Sequence, residues 1–436
     1  MRLGSDERSC RRKMFTVRLG QSRVTTARRR RASAMISVLL ALALGTVTGA
    51  SAVTGGLRVT SGSIRIDVLA HARSAPTDQA RKRAPRAVQY PVGAPNANEP
   101  SGLAPPSPQA LAGYRQSYVT NFSGASLPPG WSAFSGTPSG MPGGQFSLAH
   151  VAVSGDLLNL NAWRDPAFGD AWVTGGVCQC QVANTYGAYF VRSRMTGAGP
   201  TQVDLLWPSV GWPPEIDFNE TYGGVNYSMA TLHYTSQNLE IHQTVNVDMT
   251  KWHTWGVVWT PTSITYTLDG RAWATIQNPS IIPDVPMTLH IQQQASCAGA
   301  FACPTIAAAT QVNWVAEYVP LARVQVVVGP FAPTGAKLST SLRSEIAAIA
   351  NIVVVRGAQS VSLTSFDSAT AGRSPGRRAG AQRVRAVVRY LRQLLESRHV
   401  AVPKIITSVS GGAHAPPPSS TGSIALSSRQ VIAVIS

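Results

Sequence analysis

Acidic residues are scarce in this chain, which has 20 Asp and Glu against 38 Lys and Arg over 436 residues, a formal net charge of +18. Such an excess would favour nucleic-acid binding if it were evenly spread. Residues 1–34 hold eleven basic and two acidic residues, residues 111–320 hold six and twelve, and residues 321–436 hold fourteen and three. The middle of the chain is therefore acidic and the tail basic, so we expect separate partners for the two and no nucleic acid.

A convincing membrane span is also lacking. The apolar run at residues 35–50 is short and rich in Gly and Thr, follows four consecutive arginines, and ends at Ala50-Ser51-Ala52. A basic stretch, an apolar run of this length and small residues at its end are typical of a signal peptide. We predict a basic region and signal peptide over residues 1–52 and a secreted or cell-envelope-associated protein. A signal-anchor is the alternative.

Cysteines are few, and export would remove Cys10 and leave an even number in an oxidising compartment, namely Cys178, Cys180, Cys297 and Cys303. A Cys297–Cys303 bridge is geometrically easy, whereas we expect a Cys178–Cys180 bridge to be strained. A zinc site at Cys-x-Cys competes with these pairings, but no pair of histidines lies nearby. No metal site is predicted.

The composition and the hydrophobic periodicity of the sequence change along the chain. Residues 53–117 are rich in Ala, Pro, Arg and Ser without periodicity, which predicts a linker or a disordered arm. Short alternating stretches follow over residues 118–320, and Asp269-Gly270 between two of them is a strong hairpin signal. Many strands and little helix predict an all-β antiparallel sandwich.

After Pro320 the pattern alternates between strands and helices. Apolar periodicity predicts strands at residues 324–328, 360–366, 404–409 and 430–435, and helices at 338–352 and 378–398. The order predicts a small βαβαββ domain of the α/β class over residues 321–436.

Three of the scarce carboxylates fall in one segment, W-P-P-E-I-D-F-N-E-T-Y at residues 212–222. In a strand, Glu215 and Asp217 share a face and Glu220 has the opposite parity. A β-bulge near residues 218–219 would return Glu220 to the same face, and bulges recur beside active sites. Three such groups repel one another, so at least one should hold a proton near neutral pH. A carboxylate beside a carboxylic acid can supply the nucleophile and the general acid of retaining glycoside hydrolysis.

This segment resembles the active-site strand of glycoside hydrolase family 16, written E-x-D-x-x-E in its bulged form. Three more stretches resemble family motifs in the same order, at residues 186–192, 252–270 and 312–315. The resemblance covers residues 118–320 and implies a jelly-roll sandwich of the concanavalin A-like kind with laminarinase- or β-glucanase-like activity.

The resemblance assigns Glu215 as nucleophile, Glu220 as general acid/base, and Asp217 as the residue that tunes their protonation. The expected activity is that of a secreted endo-β-glycanase that hydrolyses β-1,3 or mixed β-1,3/1,4-glucan by double displacement. A transglycosylase, a galactan-type substrate and a non-catalytic carbohydrate-binding protein are alternatives. No cofactor is expected, although this type of sandwich allows a structural calcium ion far from the cleft.

Five further residues are candidates for substrate binding. Trp207 and Trp212 bracket the acidic strand and would stack on a sugar ring or lie in the core. His233 belongs to the predicted neighbouring strand and would bind sugar hydroxyls or serve the structure. Gln292 and Gln294 share one face of a late strand and suit hydroxyl recognition.

The tail resembles a second family. Residues 380–391 are similar to the R-A-x-x-V-x-x-Y-L helix of the OmpA-like peptidoglycan-binding domain, and residues 428–431 to its N-R-R-V ending. The resemblance implies that Asp367 and Arg383 grip the charged ends of a diaminopimelate-type peptide stem. Phe366 and Ser428 depart from the family pattern. A basic module without a ligand, or one that docks on an anionic cell-wall polymer, is the alternative.

Overall fold

The structure is a computed structural model, and it describes residues 88–137, 143–295, 303–333, 335–367, 375–411 and 429–436. Eighteen strands precede residue 321 in the described part of the chain. They are β1 (Ala94–Pro95), β2 (Leu103–Ala104), β3 (Tyr114–Thr120), β4 (Ser132–Ala133), β5 (Val151–Val153), β6 (Leu158–Asp165), β7 (Ala171–Val173), β8 (Gly176–Cys178), β9 (Gly187–Met195), β10 (Thr201–Pro208), β11 (Glu215–Glu220), β12 (Tyr227–Tyr234), β13 (Leu239–Asn246), β14 (His253–Trp259), β15 (Ile264–Leu268), β16 (Arg271–Ile276), β17 (Met287–Gln294) and β18 (Ala308–Pro320).

Two antiparallel sheets form the predicted sandwich. A seven-stranded sheet has the order β13-β12-β11-β10-β17-β8-β4, and a larger sheet has the order β16-β15-β14-β9-β18-β6-β5, with β3 beside β18 and β7 beside β6. Alternate residues of each strand point between the sheets and form one apolar core that includes Leu206, Ile216, Trp255 and Val312. The prediction of a sandwich is confirmed.

The hairpin predicted at Asp269-Gly270 joins β15 to β16. Both residues have positive φ, 47° and 80°, as a two-residue turn between twisted strands requires. Glycine is required at residue 270 for a second reason, because a Cβ there would lie 2.5 Å from the side chain of Val92.

Residues 88–117 are not a linker in the structure, and that part of the prediction for residues 53–117 is wrong. Tyr90, Leu111 and Tyr114 are buried against the outer face of the larger sheet. The side chain of Trp314 also donates through Nε1 to the carbonyl of Leu103 at 2.9 Å. Isolated anchors and backbone hydrogen bonds hold this segment, and they leave no periodic signal in the sequence. Residues 53–87 lie outside the described residues.

The tail forms its own four-stranded sheet with two helices. Its elements are β19 (Val324–Val328), α1 (Thr340–Arg356), β20 (Ser360–Asp367), α2 (Pro375–Glu396), β21 (Lys404–Gly411) and β22 (Gln430–Ile435). The sheet order is β19-β22-β20-β21, in which only β20 and β21 run parallel. A core separate from that of the sandwich includes Ile346, Leu363 and Leu391. No helix in the described part of the chain is long and apolar enough to cross a membrane.

Candidate active site

Strand β11 carries all three carboxylates of the predicted motif. Ile216 and Phe218 belong to the core between the sheets. Because side chains alternate along a strand, Glu215 and Asp217 project from the opposite face of the seven-stranded sheet, which we call the acidic face. Both are nevertheless buried, at 8% and 2% exposed, because neighbouring side chains cover them. Charged groups at these positions therefore need specific partners.

The predicted β-bulge is present. Asp217 pairs with Thr231 of β12 and Glu220 pairs with Met229, so three steps along β11 match two steps along β12. The extra residue corrects the parity and returns Glu220 to the acidic face, where its carboxylate meets the hydroxyl of Thr231 at 2.8 Å. The prediction of a bulge near residues 218–219 is confirmed.

A buried hydrogen-bond network holds the bulge from beneath. Asn219 donates through Nδ2 to Oδ2 of Asp204 at 2.8 Å and accepts from the hydroxyl of Ser228 at 2.8 Å. All three side chains are fully buried. Burial raises the pKa of Asp204 to about 7. Asp204 carries no local signal in the sequence, because only the pairing of β10 with β11 brings it to the bulge.

Each carboxylate of the acidic face has its own partner. Trp212 donates through Nε1 to Oε2 of Glu215 at 2.7 Å. His233 Nε2 lies 3.2 Å from Oδ2 of Asp217. Glu220 accepts from Thr231. The three acids therefore sit in unequal environments, which is what separates the protonation states of neighbouring carboxyl groups.

The pKa values of all three carboxyl groups are raised. Burial and then the neighbouring Asp217 hold the pKa of Glu215 well above its ordinary value. Burial and then the charge of Glu220 do the same for the pKa of Asp217. Burial raises the pKa of Glu220, and the hydrogen bond from Thr231 opposes the rise. All three shifts favour the protonated forms, which is the direction expected for neighbouring buried acids.

Next to the acids lies a second group of ionisable side chains, on the neighbouring strands β12 and β13. Of this group, only His233 was predicted from the sequence. Glu240 approaches Nδ1 of His233 at 3.3 Å with one oxygen and Nε2 of His242 at 3.1 Å with the other. The remaining nitrogen of His242 lies 3.2 Å from the hydroxyl of Thr231. Glu240 thus connects to Asp217 through His233, and to Glu220 through His242 and Thr231. The alternation of Glu240 and His242 was visible in the sequence, but their pairing with β12 was not.

His233 constrains the protons of this network. Its Nδ1 faces Oδ1 of Asn238 at 2.8 Å as well as Glu240, and its Nε2 faces Asp217. A neutral imidazole carries one N–H, so it cannot donate to both sides. A hydrogen bond between Nε2 and Asp217 needs one proton, which is carried either by Nε2 or by the carboxyl group of Asp217. In both cases a proton is held beside Asp217.

Two tryptophans form an aromatic platform beside the acids. The rings of Trp207 and Trp212 stack with centroids 6.0 Å apart and planes 13° from parallel. Trp212 is 45% exposed and lies 5.9 Å from the ring of His233. An exposed ring next to Glu215 is available to a sugar, and a core position is ruled out for Trp212.

The two predicted glutamines lie on β17. Val203 of β10 pairs with Gln292 on one side and with Glu220 on the other, so Gln292 lies in the same row of the sheet as Glu220. Gln294 pairs with Thr201 and is 9% exposed, one row further along the same face. Gln292 is the more accessible of the two.

The cysteine prediction needs a correction. Cys178 and Cys180 form a disulfide, with their Cα atoms 5.0 Å apart, although the sequence analysis expected strain there. The chain turns directly after β8, which brings the two Cα atoms within the ordinary range for a disulfide. Cys303 is also disulfide-bonded, whereas Cys297 lies outside the described residues, so a Cys297–Cys303 bridge stays a prediction.

Two clusters among the described residues place three potential metal ligands within 4.8 Å of one another. One is Cys178, Cys180 and His290, whose sulfur atoms are joined in the disulfide. The other is Glu215, Asp217 and His233, which the hydrogen bonds above already connect. The expectation of no cofactor, with a structural calcium ion allowed far from the cleft, stays a prediction.

The two residues proposed for peptide-stem binding lie on neighbouring elements of the tail. Asp367 is the last residue of β20. Arg383 of α2 is 1% exposed and donates to the carbonyls of Ala332 and Pro333 at 3.3 Å each. Its guanidinium also lies 5.9 Å from the ring centroid of Phe331. The binding role of the pair stays a prediction.

A β-sandwich with paired carboxyl groups on one face, beside an exposed aromatic ring, is the arrangement of a glycosidase that works with two carboxylates. Residues 147–315 match the family model of glycosyl hydrolases family 16. The segment that matches this family includes all three acids of β11.

One curated protein is similar in sequence. The endo-1,3-1,4-beta-glycanase ExsH of Rhizobium meliloti (strain 1021) is 36% identical over 115 residues, which are 25% of this chain and 24% of that protein. The match thus spans about a quarter of the length of the relative.

Solved structures resemble about half of the chain. The catalytic domain of an endo-1,3-beta-glucanase (laminarinase) from Thermotoga petrophila RKU-1 is 15% identical, with 48% of this chain and 98% of that chain covered at a TM-score of 0.43. The laminarinase from Rhodothermus marinus is 19% identical, with 48% and 98% covered at a TM-score of 0.44.

Proposed function

We propose that the sandwich is a retaining endo-β-glycanase that hydrolyses β-1,3 or mixed β-1,3/1,4-glucan. The observation that supports this proposal is the acidic face, where a bulge brings Glu220 to the same side as Glu215 and gives each acid a different partner. The sequence similarity to an endo-1,3-1,4-beta-glycanase favours a β-glucan over other polysaccharides.

In the proposed reaction Glu215 attacks the anomeric carbon while Glu220 protonates the departing glycosidic oxygen. The bond to the leaving sugar breaks as the bond to Glu215 forms, which yields a covalent glycosyl-enzyme. Glu220, now ionised, takes a proton from water, and the water oxygen displaces Glu215 at the same carbon. Two inversions give net retention, and both carboxyl groups return to their first state.

Asp217 and Trp212 help to set different protonation states for Glu215 and Glu220. The Trp212 N–H stabilises the ionised form of Glu215, which the nucleophile needs. Burial favours the protonated form of both acids, which Glu220 needs as the general acid and which the Trp212 N–H opposes at Glu215. Asp217 lies between them, and the proton held at Asp217 and His233 offsets the repulsion among three acids.

The remaining candidates surround this centre. Trp212 offers an exposed ring to a sugar face, and Gln292, in the row of Glu220, offers an amide to sugar hydroxyls. His233 is held by Asp217 and Asn238, so its proposed role moves from direct sugar binding to holding Asp217 in place.

Product analysis tests this function. The purified chain is incubated with laminarin, lichenan, a galactan and agarose, and released reducing ends and the anomer of the first product are measured. Retention on laminarin or lichenan is expected. Release from galactan or agarose alone would overturn the substrate, inverted product would overturn the mechanism, and binding without release would indicate a carbohydrate-binding protein. Longer oligosaccharides formed from a labelled acceptor would indicate a transglycosylase.

Replacement of Thr231 by Val should shift the alkaline limb of the pH–activity profile. The Thr231 hydroxyl stabilises the ionised form of Glu220, so its loss raises the pKa of Glu220 further. The general acid then keeps its proton to higher pH, and the alkaline limb of kcat/KM moves upward while the acid limb, set by Glu215, stays in place. Thr275→Val on an exposed strand is the matched control. An unchanged or lowered alkaline limb would contradict the role of Glu220.

We further propose that the chain is exported and that its tail holds it at the cell wall. The signal-like segment at residues 1–52 supports export, and the basic charge of residues 321–436 supports attachment to an acidic matrix. Asp367 is the proposed contact for a peptidoglycan stem, and Arg383, which is 1% exposed and donates to the carbonyls of Ala332 and Pro333, is proposed to hold the neighbouring segment in place.

Retention of the full chain on purified peptidoglycan tests this part. Asp367→Ala combined with Arg383→Ala should reduce the retained fraction several-fold. Asp367→Asn alone serves as a second variant, because it removes the charge without disturbing the buried Arg383. Unchanged retention in both variants would defeat the stem-peptide proposal.

A further inference from the structure

A groove of about 570 Å³ lies between α2 and β21, on a part of the tail that the reaction does not use. Its walls carry three arginines of α2, Arg385, Arg389 and Arg392, and two hydroxyl residues of β21, Thr407 and Ser408. All five are exposed. The floor is aliphatic and includes Val384 and Val388.

The three arginines lie on one stripe of the helix. Their spacings of four and three residues place them above one another, about 10 Å from first to last at 1.5 Å per residue. In the described part of the chain none of them forms an ion pair, and no acidic residue lines the groove. Like charges at these spacings destabilise a helix, and the single acidic residue of α2, Glu396, forms no ion pair with them. The stripe therefore favours an external anion over a structural role.

We propose that this groove binds a linear polysaccharide that carries carboxylates. Guanidinium groups bind carboxylates with two parallel hydrogen bonds, and the row of three fits a polymer with regularly repeated charge. The hydroxyl residue Thr407 lies on the face of the sheet that packs against α2, where a sugar hydroxyl would accompany the carboxylates.

The lining also argues against a nucleic acid. Proteins that hold single-stranded nucleic acids combine a basic groove with aromatic rings on which the bases stack. No aromatic side chain lines this groove. The aliphatic floor suits the C–H groups of sugar rings, so an acidic glycan is the better occupant.

Such binding would keep the sandwich close to its own polysaccharide within an acidic matrix. It is distinct from the proposed stem-peptide contact, because Arg383 faces the interior of the tail while the three groove arginines face solvent. It also does not depend on the proposed hydrolysis, because binding is measured whether or not the chain cleaves glucan.

The test uses the full chain and immobilised polygalacturonate as the probe. Arg385→Gln, Arg389→Gln and Arg392→Gln are combined, since Gln is a good helix former that removes the charge. The control combines Arg115→Gln, Lys251→Gln and Arg271→Gln, three exposed cations of the sandwich. Both triple variants remove three positive charges from a formal net charge of +18. Biolayer interferometry at low and physiological ionic strength gives the affinities.

The groove variant should lose about tenfold or more in affinity and should depend less on salt, whereas the control should lose less than about twofold. Full methyl esterification of the polymer should abolish binding by the unmodified chain. Equal losses in the two triple variants would show that binding follows net charge and would overturn the proposal. Undiminished binding to the esterified polymer would also overturn it, as would tighter binding of a single-stranded oligonucleotide through the same arginines.

Discussion

Glu215→Gln and Glu220→Gln should each lower kcat on laminarin or lichenan by at least roughly two to four orders of magnitude, the range over which a positioned acid or nucleophile contributes. Glutamine has the shape of glutamate but can neither attack the anomeric carbon nor donate the required proton. Binding should survive, because the aromatic platform of Trp207 and Trp212 is untouched. Reducing-end release measures the loss, and affinity for the intact glucan measures the survival.

A substrate with a different leaving group distinguishes the role of Glu220 from that of Glu215. An aryl β-glucoside whose leaving group needs no proton should restore the first step in Glu220→Gln but not in Glu215→Gln, because only the second variant lacks the nucleophile. Rescue of the Glu215 variant, or full activity of either variant on glucan, would overturn the assignment.

Folding of the two variants serves as the control. Both carboxyl groups are buried in a cluster of like charges that raises their pKa values, so replacing one by a neutral amide removes repulsion. The melting temperature should stay the same or rise. A loss of activity accompanied by a large fall in melting temperature would point to damage to the fold instead of to lost chemistry.

The bulge in β11 could be predicted from the sequence because the spacing of its three acids lies within one short segment. Two acids at even spacing and a third at odd spacing cannot share a face of a regular strand, so a bulge was the consistent solution. The structure has the bulge between Asp217 and Glu220. Local parity, turn residues such as Asp269-Gly270 and the switch from alternating to helical periodicity are properties of neighbouring residues, and these were the predictable parts.

What the sequence did not indicate depends on pairing across long separations. Glu240 and His242 reach the acids only because β13 pairs with β12 in a particular register. Asp204 reaches Asn219 only because β10 lies beside β11. The packing of residues 88–117 depends on a few aromatic anchors instead of a periodic pattern. None of these has a local signal, because strand order and register are decided by the whole core.

The Cys178–Cys180 bridge shows a further limit of local reasoning. Two cysteines separated by one residue are too far apart in an extended strand, and strain was the correct expectation for that conformation. The chain leaves the extended conformation directly after Cys178, at a turn that includes Cys180. The sequence carries no Gly or Pro there to mark the turn.

Trp259→Ala should destabilise the chain by about 3 to 5 kcal/mol, the usual cost of truncating a large buried aromatic residue. Trp259 is fully buried in the core, its ring meets Tyr186 edge-on at 5.1 Å, and its Nε1 donates to the carbonyl of Pro283 at 2.9 Å. Truncation opens a cavity and leaves that carbonyl without its partner. Thermal unfolding followed by circular dichroism measures the change.

Trp212→Ala is the matched control, since it truncates the same residue type where the ring is 45% exposed. Its cost in stability should be smaller, about 1 to 2 kcal/mol, because little core is lost although the buried Glu215 loses its donor. Its activity should fall sharply, because the donor to Glu215 and the exposed ring are both lost. Trp259→Ala should therefore mainly lower the stability of the fold, whereas Trp212→Ala should mainly lower the activity. A stable, active Trp259 variant would contradict the placement of that ring in the core, and a fully active Trp212 variant would contradict the platform beside the nucleophile.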